Sequence, residues 1–313
     1  MRIGVLFAAE TAELKLAHRL GFRSMQWMRF DACPATADLT GRDDAPTPSA
    51  LQFAKQFAAE AQALGIRISA IGAYYRNPLD PKQTDFARRV WHRAIEVATL
   101  IGVRTVSGFP GAVIESSTSE RGGNPVYYPG EKHLPQLLAF WEPVAALARD
   151  HGVRIAFEHC PQGAYHLPVM HYNIFGQPAM WEKFFDATRC ENLGLEWDPS
   201  HLICQFIDPV ANLKKFGSRV FHVHAKDACI ERALLLQYGI CHPGVAEHRF
   251  PGLGDADWAQ IIHTLVRVGY DSDLNIEGWH DPVYRNHPNG PQLEEEGLRI
   301  AKAHLAQFVG HQE

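Results

Sequence analysis

Short apolar runs alternate along this chain with longer stretches in which apolar residues recur at helical spacing. Arg2–Phe7 is the first run, and Leu14, Leu16, Ala17 and Leu20 then line one helix face before Gly21. Phe22–Met28 is a second run, followed by a polar, Pro-rich stretch from Asp31 to Pro48. Leu51–Leu64 reads as a helix closed by Gly65. Further strands are expected at Ile66–Tyr75, Val103–Gly108, Val153–Glu158, Leu193–Asp198, Arg219–Ala225 and Asp273–Glu277. Helices are expected at Pro81–Ile101, Leu134–His151, Pro178–Thr188, Pro209–Phe216, Ala256–Val268 and Gln292–Val309. Four strands follow directly on a helix-stopping glycine: Gly21, Gly65, Gly102 and Gly152.

Eight such units imply a parallel sheet with right-handed crossovers, and eight close naturally into a (β/α)8 TIM barrel. An open doubly wound sheet is the alternative, but it wants a Gly-rich turn after the first strand, and FAAET offers none. No linker divides the chain, so residues 1–313 are expected to be a single domain. The strand-to-helix loops after the second, fourth, fifth and seventh strands are long, while the opposite turns are short. In a barrel the long loops build the site, at the C-terminal ends of the strands.

Composition narrows the classes of function. Hydrophobic residues make up 46% and charged residues 21% of the chain, an ordinary profile for a soluble domain. The net charge of −5 provides no overall field for a phosphate backbone, so no nucleic-acid partner is expected. No apolar stretch reaches the ~18 residues of a membrane span. The opening MRIGVLF reads as a strand, not a leader, and the six cysteines show no CxxC spacing. They suit free thiols in a reducing cytoplasm.

The chemistry is expected at four strand ends. Glu158, Asp198, His224 and Glu277 close the fifth to eighth strands at equivalent positions, so they converge at one barrel mouth. Three carboxylates and one imidazole suit one divalent ion, Mn2+ ahead of Mg2+, Co2+ or Zn2+. His201 lies three residues past Asp198, within reach of the same cavity or else at the surface. Arg249 is read equally as a donor to a substrate oxygen and as a loop salt bridge. His222 and Glu196 each lie two residues before a ligand and are expected to touch behind the metal. Lys226 shares the inward parity of His224, with an oxyanion or a neighbouring loop as its partner. Trp27 and Trp279 are expected to stack on a substrate ring; Tyr74, Phe109 and Trp197 read as packing. The run Glu294–Glu296 reads as a solvated face near a helix start.

In this order, Glu158, DPSH at 198–201, HVHAKD at 222–227, the R..PG.G.ADW pattern at 249–258 and IEGWHDP at 276–282 resemble the xylose-isomerase-like barrel superfamily. The nearest branch is its sugar (phosphate) isomerases and epimerases. That resemblance implies one divalent metal held by Glu158, Asp198, His224 and Glu277. It also implies Glu158 and Glu277 as acid and base, and His201 and Arg249 as holders of substrate oxygens. The expected reaction is proton abstraction next to a carbonyl, through a metal-stabilised enediolate, on a small sugar or cyclitol. An inosose-dehydratase-like lyase shares the first step, and a silent sugar-binding barrel is the non-enzymatic reading. A dimer or tetramer is also implied, with loops 109–133 and 227–255 as contact or lid segments. Two departures from the pattern bear on the substrate. His159–Ala164 carries no second glutamate, and Trp279–His280 stands where an acidic residue precedes Asp281–Pro282. The superfamily's endonuclease IV-like nucleases need histidines after the third and fourth strands. Ala73–Tyr75 and Ser107–Phe109 offer none, and His248 lacks a partner aspartate, which argues against that arm.

Overall fold

A computed structural model describes residues 1–8, 10–28, 48–74, 77–113, 130–161, 172–285, 287 and 290–310. The stretch 31–47, most of the 109–133 loop, Tyr75 and the departure at 162–164 lie outside the described residues.

The chain opens with β1 (Arg2–Phe7), α1 (Thr11–Arg19), β2 (Ser24–Trp27), α2 (Pro48–Ala63), β3 (Arg67–Gly72), α3 (Thr84–Leu100) and β4 (Thr105–Gly108). Next come the two-residue β5 (Ala112–Val113), α4 (Leu134–Asp150), β6 (Arg154–Glu158), another two-residue strand β7 (Tyr172–Asn173), α5 (Pro178–Ala187) and β8 (Leu193–Trp197). Then follow α6 (Pro199–Ile203), α7 (Pro209–Phe216), β9 (Val220–Ala225), β10 (Asp227–Ile230), α8 (Arg232–Tyr238) and β11 (Ala246–Arg249). The last elements are α9 (Trp258–Arg267), β12 (Asp273–Ile276) and α10 (Gly290–Ala306).

Eight strands close a parallel barrel in the order β1-β12-β9-β8-β6-β4-β3-β2, the expected (β/α)8 architecture. The helix-stop glycines work as expected: Gly21, Gly65, Gly102 and Gly152 have φ of 72, 69, 73 and 68°. A β-carbon is strained in that region, so glycine turns the chain from helix to strand at least cost.

The outward faces of the strands carry the apolar core. Trp141 meets Trp91 edge-on at 4.7 Å and Phe157 at 4.5 Å, locking α3 and α4 onto β6. The inside of the barrel is different, because Gln26, Ser69, Ser107, Glu196, His222, His224 and Asn275 are all buried there. Barrel interiors are ordinarily filled by branched aliphatics, so a polar plug needs full hydrogen bonding to be tolerated. At the N-terminal end Asp273 accepts from Arg2 Nε at 2.9 Å and lies 4.0 Å from Arg67 Nε.

Two elements were not foreseen. β10 and β11 form an antiparallel hairpin carrying α8, and β5 pairs with β7. Of the acidic run, Glu295 binds Arg19 at 2.6 Å and Glu294 binds Arg285, so the face is tied down as well as solvated.

Candidate metal centre and active site

Glu158, Asp198, His224 and Glu277 come together at the C-terminal end of the barrel. Each offers a ligand atom, and all four atoms lie within 4.8 Å of one another. Glu158 closes β6, Asp198 and Glu277 follow β8 and β12, and His224 is the fifth residue of β9. Asp198 divides its oxygens: Oδ1 caps α6 by accepting from Ser200 N at 2.7 Å, with Pro199 at the first helical position. That leaves Oδ2 to the centre.

The donor set fits a divalent ion. Asp198 Oδ2, His224 Nδ1 and Glu277 Oε2 are buried without a well-formed hydrogen bond, and their near neighbours are one another and His201: His224 Nδ1 lies 3.0 Å from Glu277 Oε2. Crowded carboxylates in a buried site are costly, and a cation among them would offset that cost. The electrostatics agree. Burial disfavours charge on His224, yet Glu196, Glu158 and Glu277 pull its pKa well above the ordinary histidine value. Positive charge is what this cluster of carboxylates demands.

The layer beneath orients the ligands. His222 Nδ1 lies 2.8 Å from Glu196 Oε1 and Nε2 lies 3.1 Å from Ser69 Oγ, so the expected inner contact is present. Gln26 Nε2 donates to Glu196 Oε1 at 2.8 Å and to Ser107 Oγ at 2.9 Å. Gln26 Oε1 lies 2.7 Å from His224 Nε2. A glutamine oxygen only accepts, so Nε2 carries a proton, and a cation at the centre would take the lone pair of Nδ1 in place of the second proton. Tyr74 completes the layer by donating to Glu196 Oε2. Burial opposes ionisation of Glu196, but His224 and His222 hold its pKa well below the usual carboxylate range.

Lys226 points inward and its Nζ donates to Glu277 Oε1 at 2.7 Å. Burial would neutralise Glu277, yet Lys226 and His224 keep its pKa well below normal, so the carboxylate is ionised. Asp227 turns away and accepts from Gly252 N, Ala256 N and Trp258 Nε1 at 3.0, 2.9 and 3.0 Å.

His201 is buried, with Nε2 3.2 Å from Asp198 Oδ2 and 3.4 Å from Glu158 Oε1. Burial opposes its charge, but Cys160, Asp198 and Glu158 raise its pKa well above normal. Trp279 is half-buried beside Leu6, Met28, Tyr74 and Phe109, which form an apolar wall at the mouth.

Two expected substrate contacts need correction. Trp27 is fully buried outside the barrel, 5.9 Å from Phe53 and 5.2 Å from Phe57 between ring centroids. Strand alternation turns Gln26, not Trp27, inward. Arg249 gives its Nε to Asp281 Oδ2 at 3.2 Å, the loop salt bridge. It pairs with Asp227 across the hairpin, whereas His248 pairs with Ala228 on the other face. His248 is the residue beside the site, its ring 5.0 Å from His201 and 6.0 Å from His280.

Sequence reading weighed His248 only as a nuclease ligand, and it missed Gln26 and His159, whose Nε2 accepts from Asp198 N at 2.9 Å. Parity with the inward His224 and Glu196 was the available signal for Gln26. His159 directly follows a ligand, which was the signal there.

Among the described residues, no helix is long and apolar enough to cross a membrane. The chain is 28% identical over 216 residues to the uncharacterized protein YfiH of Bacillus subtilis, covering 64% of this chain and 68% of that one. It is 27% identical over 164 residues to an inosose dehydratase of Clostridium perfringens, covering 51% of this chain and only 52% of the relative. The IolI protein with a bound zinc atom superposes with a TM-score of 0.69 at 16% identity, over 99% of this chain and 100% of that one. D-psicose 3-epimerase of Clostridium cellulolyticum, solved with D-tagatose, superposes at 0.68 and 14% identity, over 98% and 99%. These two likenesses concern the fold. Residues 14–304 match the family model described as xylose isomerase-like TIM barrel, and the chain belongs to that family.

Proposed function

We propose that this chain is a single-domain, divalent-metal-dependent isomerase or epimerase of a small sugar or cyclitol. One observation carries the reading: buried ligand atoms of Glu158, Asp198, His224 and Glu277 all lie within 4.8 Å of one another. A divalent ion held by these four residues, Mn2+ first among candidates, supplies Lewis acidity that polarises a substrate carbonyl and acidifies the adjacent C–H.

The chain's own residues do the rest. Glu277 starts ionised because Lys226 is beside it, so it is the base that takes the proton next to the carbonyl. Glu158 is the partner carboxylate, returning a proton to the same carbon or its neighbour. His201 and His248 donate to substrate oxygens, and Trp279 with Phe109 packs against the apolar face of the ring. The substrate is a small molecule, not nucleic acid.

Exchange of solvent deuterium into keto-sugars and inososes, followed by NMR with added Mn2+, tests this reading. Glu158→Gln and Glu277→Gln should each abolish the exchange; retained exchange in both removes the two-carboxylate mechanism. The similarity to inosose dehydratases supports a second reading, a lyase using the same first step. Product mass separates them, since epimerisation leaves it unchanged and dehydration lowers it by one water.

The proposal includes a dimer or tetramer. α8 leaves Leu236 88% and Tyr238 54% exposed, an apolar surface on the 227–255 segment. Sedimentation of Leu236→Glu beside the parent chain tests it; an unchanged oligomer removes α8 from the interface.

A further inference from the structure

We infer that Glu158, Cys160 and His201 form a second cation position, selective for thiophilic divalent ions such as Zn2+, on the rim of the first. A ligand atom from each of the three lies within 4.8 Å of the others. Ligands about 2.0–2.3 Å from a tetrahedral zinc stand about 3.3–3.7 Å apart. Glu158 Oε1 and His201 Nε2 are already 3.4 Å apart. Local chain geometry sets the cluster. Cys160 follows Glu158 by two residues off β6, and the capped start of α6 delivers His201 to the same place.

Glu158 belongs to both positions. Its Oε1 lies 3.4 Å from His201 Nε2 and 3.7 Å from His224 Nδ1, between the two imidazoles. Carboxylates so placed bridge paired metal ions. The two donor sets differ in softness. The first is three carboxylates and an imidazole, which suits hard ions; the second is one carboxylate, one thiolate and one imidazole. Cys160 is half-buried and so is not sealed from solvent.

A neighbouring cluster shows what a non-site looks like. Glu196, His222 and His224 also have ligand atoms within 4.8 Å of one another. There Glu196 Oε1 already accepts from Gln26 at 2.8 Å, and both His222 nitrogens are engaged by Glu196 and Ser69. Every residue of that cluster is buried, whereas Cys160 is half-buried.

An ion at the second position removes His201 from substrate and neutralises part of Glu158. Resting on the proposed acid–base role of Glu158, the consequence is inhibition by excess zinc but not by excess manganese.

The test uses the full chain loaded with one equivalent of Mn2+ and titrated with Co2+. A thiolate-to-cobalt charge-transfer absorption in the near ultraviolet is expected, with metal content rising from about one to about two ions per chain. Cys160→Ser should lose the absorption and the second ion, while Cys229→Ser keeps both. A wild-type chain that holds manganese but gives no such absorption overturns the second position and leaves the first intact. An absorption that survives in Cys160→Ser overturns it as well. If the absorption forms and depends on Cys160 while manganese is not retained, the second position stands and the proposed catalytic centre fails.

Discussion

Lys226 Nζ lies 2.7 Å from Glu277 Oε1, and both side chains are buried. A buried ammonium against one carboxylate oxygen favours the ionised form of the whole carboxylate. Lys226→Met should therefore raise the pKa of Glu277 and lower the exchange rate by about 10²-fold. The acidic limb of the pH–rate profile should move to higher pH, because Glu277 then stays protonated further up the scale. An unchanged limb would show that Lys226 acts only in folding.

Gln26 fixes the tautomer of His224 through a 2.7 Å contact to Nε2. Gln26→Leu removes that acceptor while keeping most of the side-chain volume. Loss of a ligand's orienting partner typically costs about 10–100-fold in metal affinity. Calorimetric titration with Mn2+ reads this directly, and an affinity within twofold of the parent chain would rule the role out.

Trp27 and Trp279 should separate cleanly. Trp27→Ala empties a packed site against Phe53 and Phe57 and is expected to cost about 3–5 kcal/mol of stability. Trp279→Ala trims a half-buried ring at the mouth and should raise KM with little change in denaturant midpoint. Urea unfolding beside steady-state kinetics checks both, and a reversed pattern contradicts the assignment.

His248→Ala should raise KM about tenfold, the ~1.4 kcal/mol of one lost hydrogen bond to substrate. Arg249→Ala should instead lower stability, since it leaves Asp281 without its 3.2 Å partner. Equal effects of both on KM would return Arg249 to the substrate.

Asp273 is buried at the opposite end of the barrel. Burial alone would raise its pKa, but Arg2 and Arg67 bring it below the ordinary aspartate value. A depressed carboxylate contributes stability that is complete above its unfolded pKa of about 4 and lost as pH falls through the folded value. Asp273→Asn should be less stable at neutral pH and should show a flatter decline below pH ~4 in thermal melts. A decline as steep as the parent's assigns acid unfolding to other groups.

The barrel was legible because each of its signals is local. Apolar runs of strand length and glycines with φ near 70° recur in phase, so errors were confined to element ends. The four residues of the candidate centre were legible because each is a polar interruption where an apolar strand stops. Trp27 misled because the inward face of this strand is its polar one, Ser24 and Gln26, while Met25 and Trp27 pack outside, and the register slips between Met25 and Trp27 against β3. Direction along such a run is set by neighbours distant in sequence. His248 was set aside as a nuclease ligand without a partner, and its place beside this site was not foreseen for a related reason. Its orientation follows from pairing with Ala228, twenty residues earlier, across a hairpin with no short turn to announce it.

Asp227 gathers the return end of that hairpin, binding Gly252, Ala256 and Trp258 at once. A β-carbon on Gly254 would stand 2.3 Å from its Oδ1, so the backbone is drawn in tightly there. The excursion is thus closed at its neck by one buried carboxylate. A change of length within residues 231–245 therefore falls beyond the tie, on the far side of Asp227 from Lys226 and the end of β9.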